Sequence, residues 1–292
     1  MIYLIWLSIL DFKPIEKLQL IQIIGTPQKI FNLTEKQLRE YTNSEEIIRK
    51  IMNIEKRQEA EKILNQIEKE NIKLITIMDK EYPKNLHRIY DKPILLYAKG
   101  NTNLLKSLKK ISIIGSRNCS EYGKIVTQKL SYMLAKKDYT IVSGMAKGID
   151  SYAHKGALTA KGNTIAILGS GVNYVYPEEN KRLYNKILEQ NGLILSEYGL
   201  DTKPIPEYFP ARNRLISGIS DKILITEASK KSGTMITANF AIEQGKTVYA
   251  VPGNITSTRS EGTNELIKNG SKLVTKVEDI LIEYPQIKFK KK

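Results

Sequence analysis

Within Glu207–Ser220 the chain sets Phe209 and Pro210 ahead of Arg212-Asn213-Arg214, two guanidiniums with a carboxamide between them. A guanidinium is a planar fork that matches phosphate oxygens two at a time, and an exposed aromatic ring offers a face on which a nucleobase stacks. The stretch therefore has the chemistry to hold a phosphate chain together with its bases, from a loop bounded by proline. The competing reading is a helix start whose Arg-x-Arg pattern is only a solvated face. Lys203 is a further cation just upstream.

Four more segments carry small and basic residues directly after apolar runs. They are Gly115-Ser116-Arg117, the stretch Ser143-Gly144-Met145-Ala146-Lys147-Gly148-Ile149-Asp150, Gly169-Ser170-Gly171, and Glu227 to Thr234 ending in Ser232-Gly233-Thr234. Glycine lets the main chain approach a phosphate closely, and the N–H groups of a following helix supply oriented donors. Singly, each is an ordinary strand-to-helix turn in which glycine serves backbone geometry. Jointly they read as an anion-binding crest. None ends in Gly-Lys-Ser/Thr and none has the three-glycine dinucleotide fingerprint, which disfavours an ATP or NAD enzyme and leaves no cofactor expected.

Only His87 and His154 are present, far apart in sequence, and Cys119 is the sole cysteine, so neither a metal site nor a disulfide is expected. Asp150 and His154 stand four apart, on one face of a helix, where a structural hydrogen-bonded pair is expected. Glu197, Glu227 and Glu243 are the acids nearest strand ends or glycine loops. Each is equally able to orient an arginine or to cap a helix.

The elements that must hold these loops follow from hydrophobic patterning. Apolar, β-rich runs recur at Ile111–Ile114, Thr140–Val142, Thr164–Leu168, Leu193–Leu195, Ile223–Thr226 and Thr247–Val251, separated mostly by helical stretches. That alternation predicts an α/β fold, a parallel sheet with flanking helices whose ligands lie beyond the carboxyl ends of the strands. Val126, Leu130, Met133 and Leu134 share one face of the first crossover helix. Leu74–Ile77 and Ile94–Tyr97 read as leading strands. Before them, residues 1–70 carry helical spacings such as Leu18, Ile21, Ile24 and Ile47, Ile51, Ile54, which predicts a small all-helical domain, with the sheet domain spanning 71–284. The basic end 285–292 is expected to be disordered.

The 292 residues carry a net charge of +15, a surplus that argues for a polyanionic partner. Residues 1–71 hold 11 basic and 11 acidic side chains, so the whole excess falls on the larger segment that carries the loops. The competing reading is a lysine-rich proteome bias. The apolar opening Met1–Leu10 lacks a basic leader and is too short to span a bilayer, and cysteine usage fits a reducing compartment; no membrane association and a cytoplasmic location are expected.

Taken with Ala153-His154-Lys155-Gly156-Ala157-Leu158, Val175–Asn180, Ser232–Ala238, Ala250-Val251-Pro252-Gly253 and Glu261-Gly262-Thr263-Asn264, these loops and Phe209–Ser220 resemble the DprA/Smf family of bacterial DNA-processing proteins, from about Ile72 to Leu281 and in family order. The resemblance implies an extended Rossmann-like core that binds single-stranded DNA without strong sequence preference and without catalysis. It further implies protection of incoming strands during natural transformation, loading of a RecA-type recombinase, and a homodimer. By motif position it assigns phosphates to Arg117, Lys147, Arg212 and Arg214. Backbone access falls to Gly115, Gly144 and Gly148, with Phe209 and Asn213 near a base. Ser116, Ser143, Met145, Lys203, Ser232, Gly233 and Thr234 complete the expected DNA-binding set. Lys147 and Lys155 stand where arginine is common, Ala211 replaces a frequent basic residue, and Glu265 follows Asn264 where arginine often occurs. Lysine keeps the charge and loses the bidentate fork. The N-terminal segment is similar only loosely to the family's SAM-like or helix-hairpin-helix-like domain, and no C-terminal winged helix is expected.

The rival enzyme reading is a nucleotide N-glycosidase of the LOG or lysine-decarboxylase-like group, which shares a related core and carries a catalytic Glu after its Gly-Gly-x-Gly-Thr loop. Here Thr237 takes the acid's place. The rival from a third class is an interaction scaffold whose basic surface meets an acidic protein.

Overall fold

Ile111 and Ile113 turn to one face of a sheet while Ile114 turns to the other, and both faces are covered, which is why three of the four residues in Ile111–Ile114 are apolar and the fourth, Ser112, is buried with its hydroxyl hydrogen-bonded. The computed structural model describes residues 1–281, so the basic end 285–292 lies outside the described residues. Six helices come first: α1 (Ile2–Ile9), α2 (Pro14–Ile24), α3 (Pro27–Asn32), α4 (Glu35–Leu38), α5 (Glu45–Ile51) and α6 (Ile54–Glu70). Side-chain caps define most of their starts: Thr26, Thr34, Ser44 and Asn53 each accept a hydrogen bond from the N–H three residues on.

The leading strands are β1 (Lys73–Thr76) and β2 (Leu95–Gly100), paired antiparallel. Then come β3 (Lys110–Ile114), α7 (Glu121–Ala135), β4 (Thr140–Ser143), α8 (Ile149–Thr159), β5 (Thr164–Ile167), α9 (Lys181–Glu189), β6 (Leu193–Ser196), α10 (Tyr208–Ile219), β7 (Lys222–Ile225), α11 (Gly233–Glu243), β8 (Thr247–Ala250), α12 (Glu261–Lys268), β9 (Lys272–Leu273) and α13 (Glu278–Leu281). Every apolar run read as a strand is one, within one residue at its ends except that β2 runs three residues past Tyr97. The nine strands order as β1-β2-β6-β5-β4-β3-β7-β8-β9, parallel from β6 to β9 with β2 joining β6 antiparallel.

Helices α10 and α11 cover one face, burying Leu215, Ile216, Ile219, Ala238 and Ala241 against Val142, Ile165 and Ile223. The other face divides. Helices α7 and α8 pack over β3, β4, β7 and β8, whereas α9 and the N-terminal helices pack over β2, β5 and β6. Trp6 is fully buried, meets Phe31 edge-on at 5.1 Å between ring centroids, and shares one apolar cluster with Tyr97 and Ile194 of the sheet. The helical segment and the sheet thus remove the same apolar surface from water.

Trp6 is the only tryptophan, so its emission reports this junction. Unfolding in urea followed by Trp6 fluorescence and by far-ultraviolet circular dichroism is expected to give one coincident transition; an earlier fluorescence midpoint would mean that the helical segment lets go of the sheet first.

Candidate functional site

The chain leaves β3 toward β4, β5 and β6 on one side and returns to β7, β8 and β9 on the other, so a crevice opens at the carboxyl end of β3 where the connections diverge. A cavity of about 410 Å³ occupies it, between the Gly115–Asn118 loop, Asn213 of α10 and the Ser232–Thr234 start of α11, with Asp150 and Arg212 at its floor. A slot of about 70 Å³ adjoins, sharing Arg117, Ala146 and Arg212 and walled by Phe209, Tyr176 and Lys147.

Arg212 organises the floor. Its guanidinium is buried, and Nη1 donates to the carbonyl oxygens of Gly144 (2.7 Å) and Ile167, while Nε donates to Asn213 Oδ1 at 3.2 Å. Burial brings its pKa down to about 10; the nearby Asp150 opposes that shift and the positive Arg117 adds to it. The Gly144–Ala146 loop is strapped from the other side by Asp150, whose Oδ2 accepts from Gly144 N (3.1 Å) and Ala146 N (3.3 Å). A Cβ on Gly144 would come within 2.7 Å of Asp150 Oδ2 and 2.8 Å of Arg212 Cζ, so only glycine fits between the two charges. Gly148 has φ +71°, and a Cβ there would strike the carbonyl oxygens of Ser116 and Arg117, which keeps the first two loops in contact. Burial pushes the Asp150 carboxyl up, against the pull of Arg212.

Below the floor His154 is fully buried. Its Nδ1 lies 2.7 Å from Thr164 Oγ1 and its Nε2 meets no hydrogen-bond partner among the described residues. Desolvation, helped by the Arg212 charge, brings its pKa to about 3, so the ring stays neutral. The expected Asp150–His154 pair does not form, because the loop amides claim the carboxylate and the strand hydroxyl claims the imidazole.

Several expectations need correction. Phe209–Ile219 is not a loop: it lies in helix α10, and the residues expected to hold phosphates side by side are separated by its turn. Arg214 is 2% exposed, donates to both Glu197 oxygens (2.9 and 2.8 Å) and pairs with Asp91 at 2.8 Å, so it is a structural charge turned away from the crevice. Ser143 is buried and donates its hydroxyl to Ile113 O at 2.7 Å. Met145 is buried in the apolar cluster at φ +60°, its carbonyl held by Asn180 Nδ2 at 2.8 Å. The Gly144 amide, expected to face a ligand, is already satisfied by Asp150. Ser116 N likewise donates to Glu227 O at 2.8 Å.

Other expected residues do converge. Arg117 is exposed, makes no ion pair among the described residues, and holds its guanidinium 5.2 Å from the Phe209 ring centroid. Lys147 stands on the slot's rim, half exposed and paired with Glu179 at 2.5 Å. Lys203, by contrast, is exposed but lines neither the cavity nor the slot; Thr202 before it accepts from Gly171 N at 2.9 Å. Among the described residues nothing accepts from the N–H groups of Gly233 and Thr234, which open α11 onto the cavity. Gly115, Ser116, Asn213 and Ser232 line the same cavity.

Tyr176 and Pro177 were not foreseen in the site. The Tyr176 ring is 46% exposed and lies 5.4 Å from the Phe209 ring centroid, enlarging the aromatic wall. Its sequence signal, an aromatic flanked by Val175 and Pro177 in a polar stretch, was present but attached to no strand end. Of the acids considered, Glu197 pairs with Arg214, Glu227 accepts from Ser120 N at 3.0 Å beneath α7, and Glu243 is exposed at the far end of α11; none lines the cavity.

Comparison with known proteins gives the context. The model of the family described as DNA recombination-mediator protein A matches residues 73–285. The DNA processing protein DprA of Streptococcus pneumoniae is 44% identical over 209 residues, 72% of this chain and 73% of that one. An X-ray structure of that protein superposes with a TM-score of 0.77 at 35% identity, covering 98% of this chain and 97% of the other. The Helicobacter pylori DprA structure, described for its single-stranded DNA binding mode, gives a TM-score of 0.65 at 36% identity over 72% and 94% of the two chains. Among the described residues no helix is long and apolar enough to cross a membrane.

Two outcomes follow from the buried Arg214 and the buried, neutral His154. Arg214→Ala strands Glu197 in a nearly dry site and is expected to cost about 3–5 kcal/mol in urea unfolding at neutral pH. His154 has a folded pKa of about 3 against an ordinary value of 6.5, so its share of stability is complete above pH 6.5 and drains away as pH falls toward 3. At pH 5 that loss amounts to about 2 kcal/mol, and His154→Gln should remove it from the difference between urea midpoints at pH 7.5 and pH 5.

Proposed function

The chain belongs to the DNA recombination-mediator protein A family, and from that premise we propose that its crevice binds single-stranded DNA, with Phe209 under a base and Arg117 and Lys147 against the flanking phosphates. One observation carries the reading. Arg117 is an exposed cation with no carboxylate partner among the described residues, and its counterpart is the face of an aromatic ring. A nucleotide supplies what this pair lacks, a phosphate for the guanidinium and a base plane for the ring.

The chemistry also accounts for weak sequence preference. Ring faces, a guanidinium and the free N–H groups at the start of α11 grip backbone and stacking surface, which every base shares, while few side chains are aimed at base edges. The H. pylori relative's single-stranded DNA binding supports carrying the same ligand to this chain. Arg117 covers the Phe209 face in the free protein, so a base that stacks there displaces the guanidinium toward the adjoining phosphate.

In the cell the same reading gives a cytoplasmic, non-catalytic homodimer acting in DNA uptake and natural transformation, protecting incoming strands and helping a RecA-type recombinase onto them. The positions of the acids favour binding over glycoside cleavage: Thr237 lines the cavity where the enzyme group carries its Glu.

Phe209→Ala is expected to weaken binding of unrelated single-stranded oligonucleotides by about 1–3 kcal/mol, similarly for each sequence. Arg117→Ala should weaken them too and lower the slope of log affinity against log salt by about 0.7, one phosphate's share. Fluorescence anisotropy at two salt concentrations reads both, and unchanged affinity in both variants would remove the crevice from the function.

A further inference from the structure

At the opposite end of the sheet, where β3 and β7 begin, a second cleft of about 450 Å³ opens between the segment before β2 and the turn before β3. Its lining carries five cations, Lys80, Lys84, Arg88, Lys106 and Lys110, against two carboxylates, Glu81 and Asp221. The two acids offset only part of that charge, and the lining keeps an excess of three cations. Glu81 already pairs with Lys73 and with Lys106 at 3.1 Å, and Asp221 accepts from Asn85 Nδ2 at 2.8 Å. Lys80, Lys84 and Arg88 are exposed and have no ion-pair partner among the described residues.

The cleft is crowded with charge as well as rich in it. Burial lowers the pKa values of Lys110 and the neighbouring half-buried Lys246; at Lys246 the positive charges of Arg88 and Lys110 add to the effect, against Asp221. Two residues beyond Arg88, Tyr90 is 78% exposed, while Ile89 between them anchors the segment on α10 at Gly218. Tyr90 lies outside the cleft's own lining, but the extended Ile89 sets Arg88 and Tyr90 on the same side of the segment, so an aromatic face stands at the edge of the unpaired cations.

We propose that this rear cleft is a second binding site for the phosphate backbone of single-stranded nucleic acid, with Lys84 and Arg88 as its phosphate ligands and Tyr90 as its stacking face. The proposal rests on the front-crevice reading for the identity of the strand. Helix α10 runs between the clefts, Phe209 and Arg212 near one and Ile219 next to Asp221 at the other, a span of about 18 Å for twelve residues. A strand long enough to pass round the molecule fills both and gains from the linkage, whereas a fragment of about four nucleotides fills one.

The test compares oligo-dT of about four and about forty nucleotides by anisotropy, on the full chain, for Lys84→Glu/Arg88→Glu and for Arg117→Ala. The rear double variant changes two exposed, unpaired side chains and should keep the thermal midpoint of the parent. It is expected to bind the long strand about tenfold more weakly at low salt, with the salt slope reduced by about 1.4, and to bind the short one unchanged. Tyr90→Ala should weaken the long strand about fivefold. Parent-like long-strand affinity and slope in the double variant overturn the rear site, whatever the front crevice does. Undiminished short-strand binding in Arg117→Ala overturns the front reading instead, and absence of binding by the parent overturns both.

Discussion

One buried guanidinium determines the shape of the crevice at the carboxyl end of β3. Arg212 reaches from α10 to the carbonyl oxygens of Gly144 and Ile167, at the carboxyl ends of β4 and β5, and with Asp150 it clamps the loop between them. Carbonyl acceptors at strand ends are normally met by water or by the following helix; here a fixed positive charge meets them, and its fork ties a helix to two strands at once. Phe209 sits one turn earlier on α10 and Asn213 one residue later, so the anchor also aims the ring and the carboxamide. An arginine in this position acts through the groups it positions.

The neighbouring Arg214 illustrates how a helix sorts identical side chains. Two residues apart on an α-helix means about 200° around its axis. Arg212 therefore points to the strand ends while Arg214 points to Glu197 and Asp91 on the opposite side, where it secures the segment before β2 to the core. A desolvated cation with two carboxylates is satisfied; an exposed cation over an aromatic ring is not. That difference separates the structural arginine from Arg117, although the two are equivalent in composition.

Positive side chains line a cleft at each end of the parallel strands. At the front they border glycine loops and an uncapped helix start, and at the rear the cleft is lined by five cations and two acids. Because the parallel strands all begin at one end and finish at the other, loops of one kind gather at each end, and a chain rich in lysine acquires two charged poles separated by an apolar sheet.

The α/β architecture was legible from residue order alone, since buried parallel strands must be continuously apolar and the crossovers between them must show helical spacing; Ile111–Ile114 and Thr247–Val251 could hardly be read otherwise. So was the end of the sheet at which the candidate crevice opens, because glycines and cations follow the strands directly. Tertiary structure alone decided which of those groups remain available. Gly144 N is consumed by Asp150, Ser143 by Ile113, and Arg214 by Glu197, whereas Tyr176 arrives from a segment with no strand-end signal. The reason is physical: patterning encodes which residues leave water, a property of each side chain and its neighbours along the chain, while the partner that satisfies a buried donor or charge comes from another part of the chain and is fixed only when the layers close.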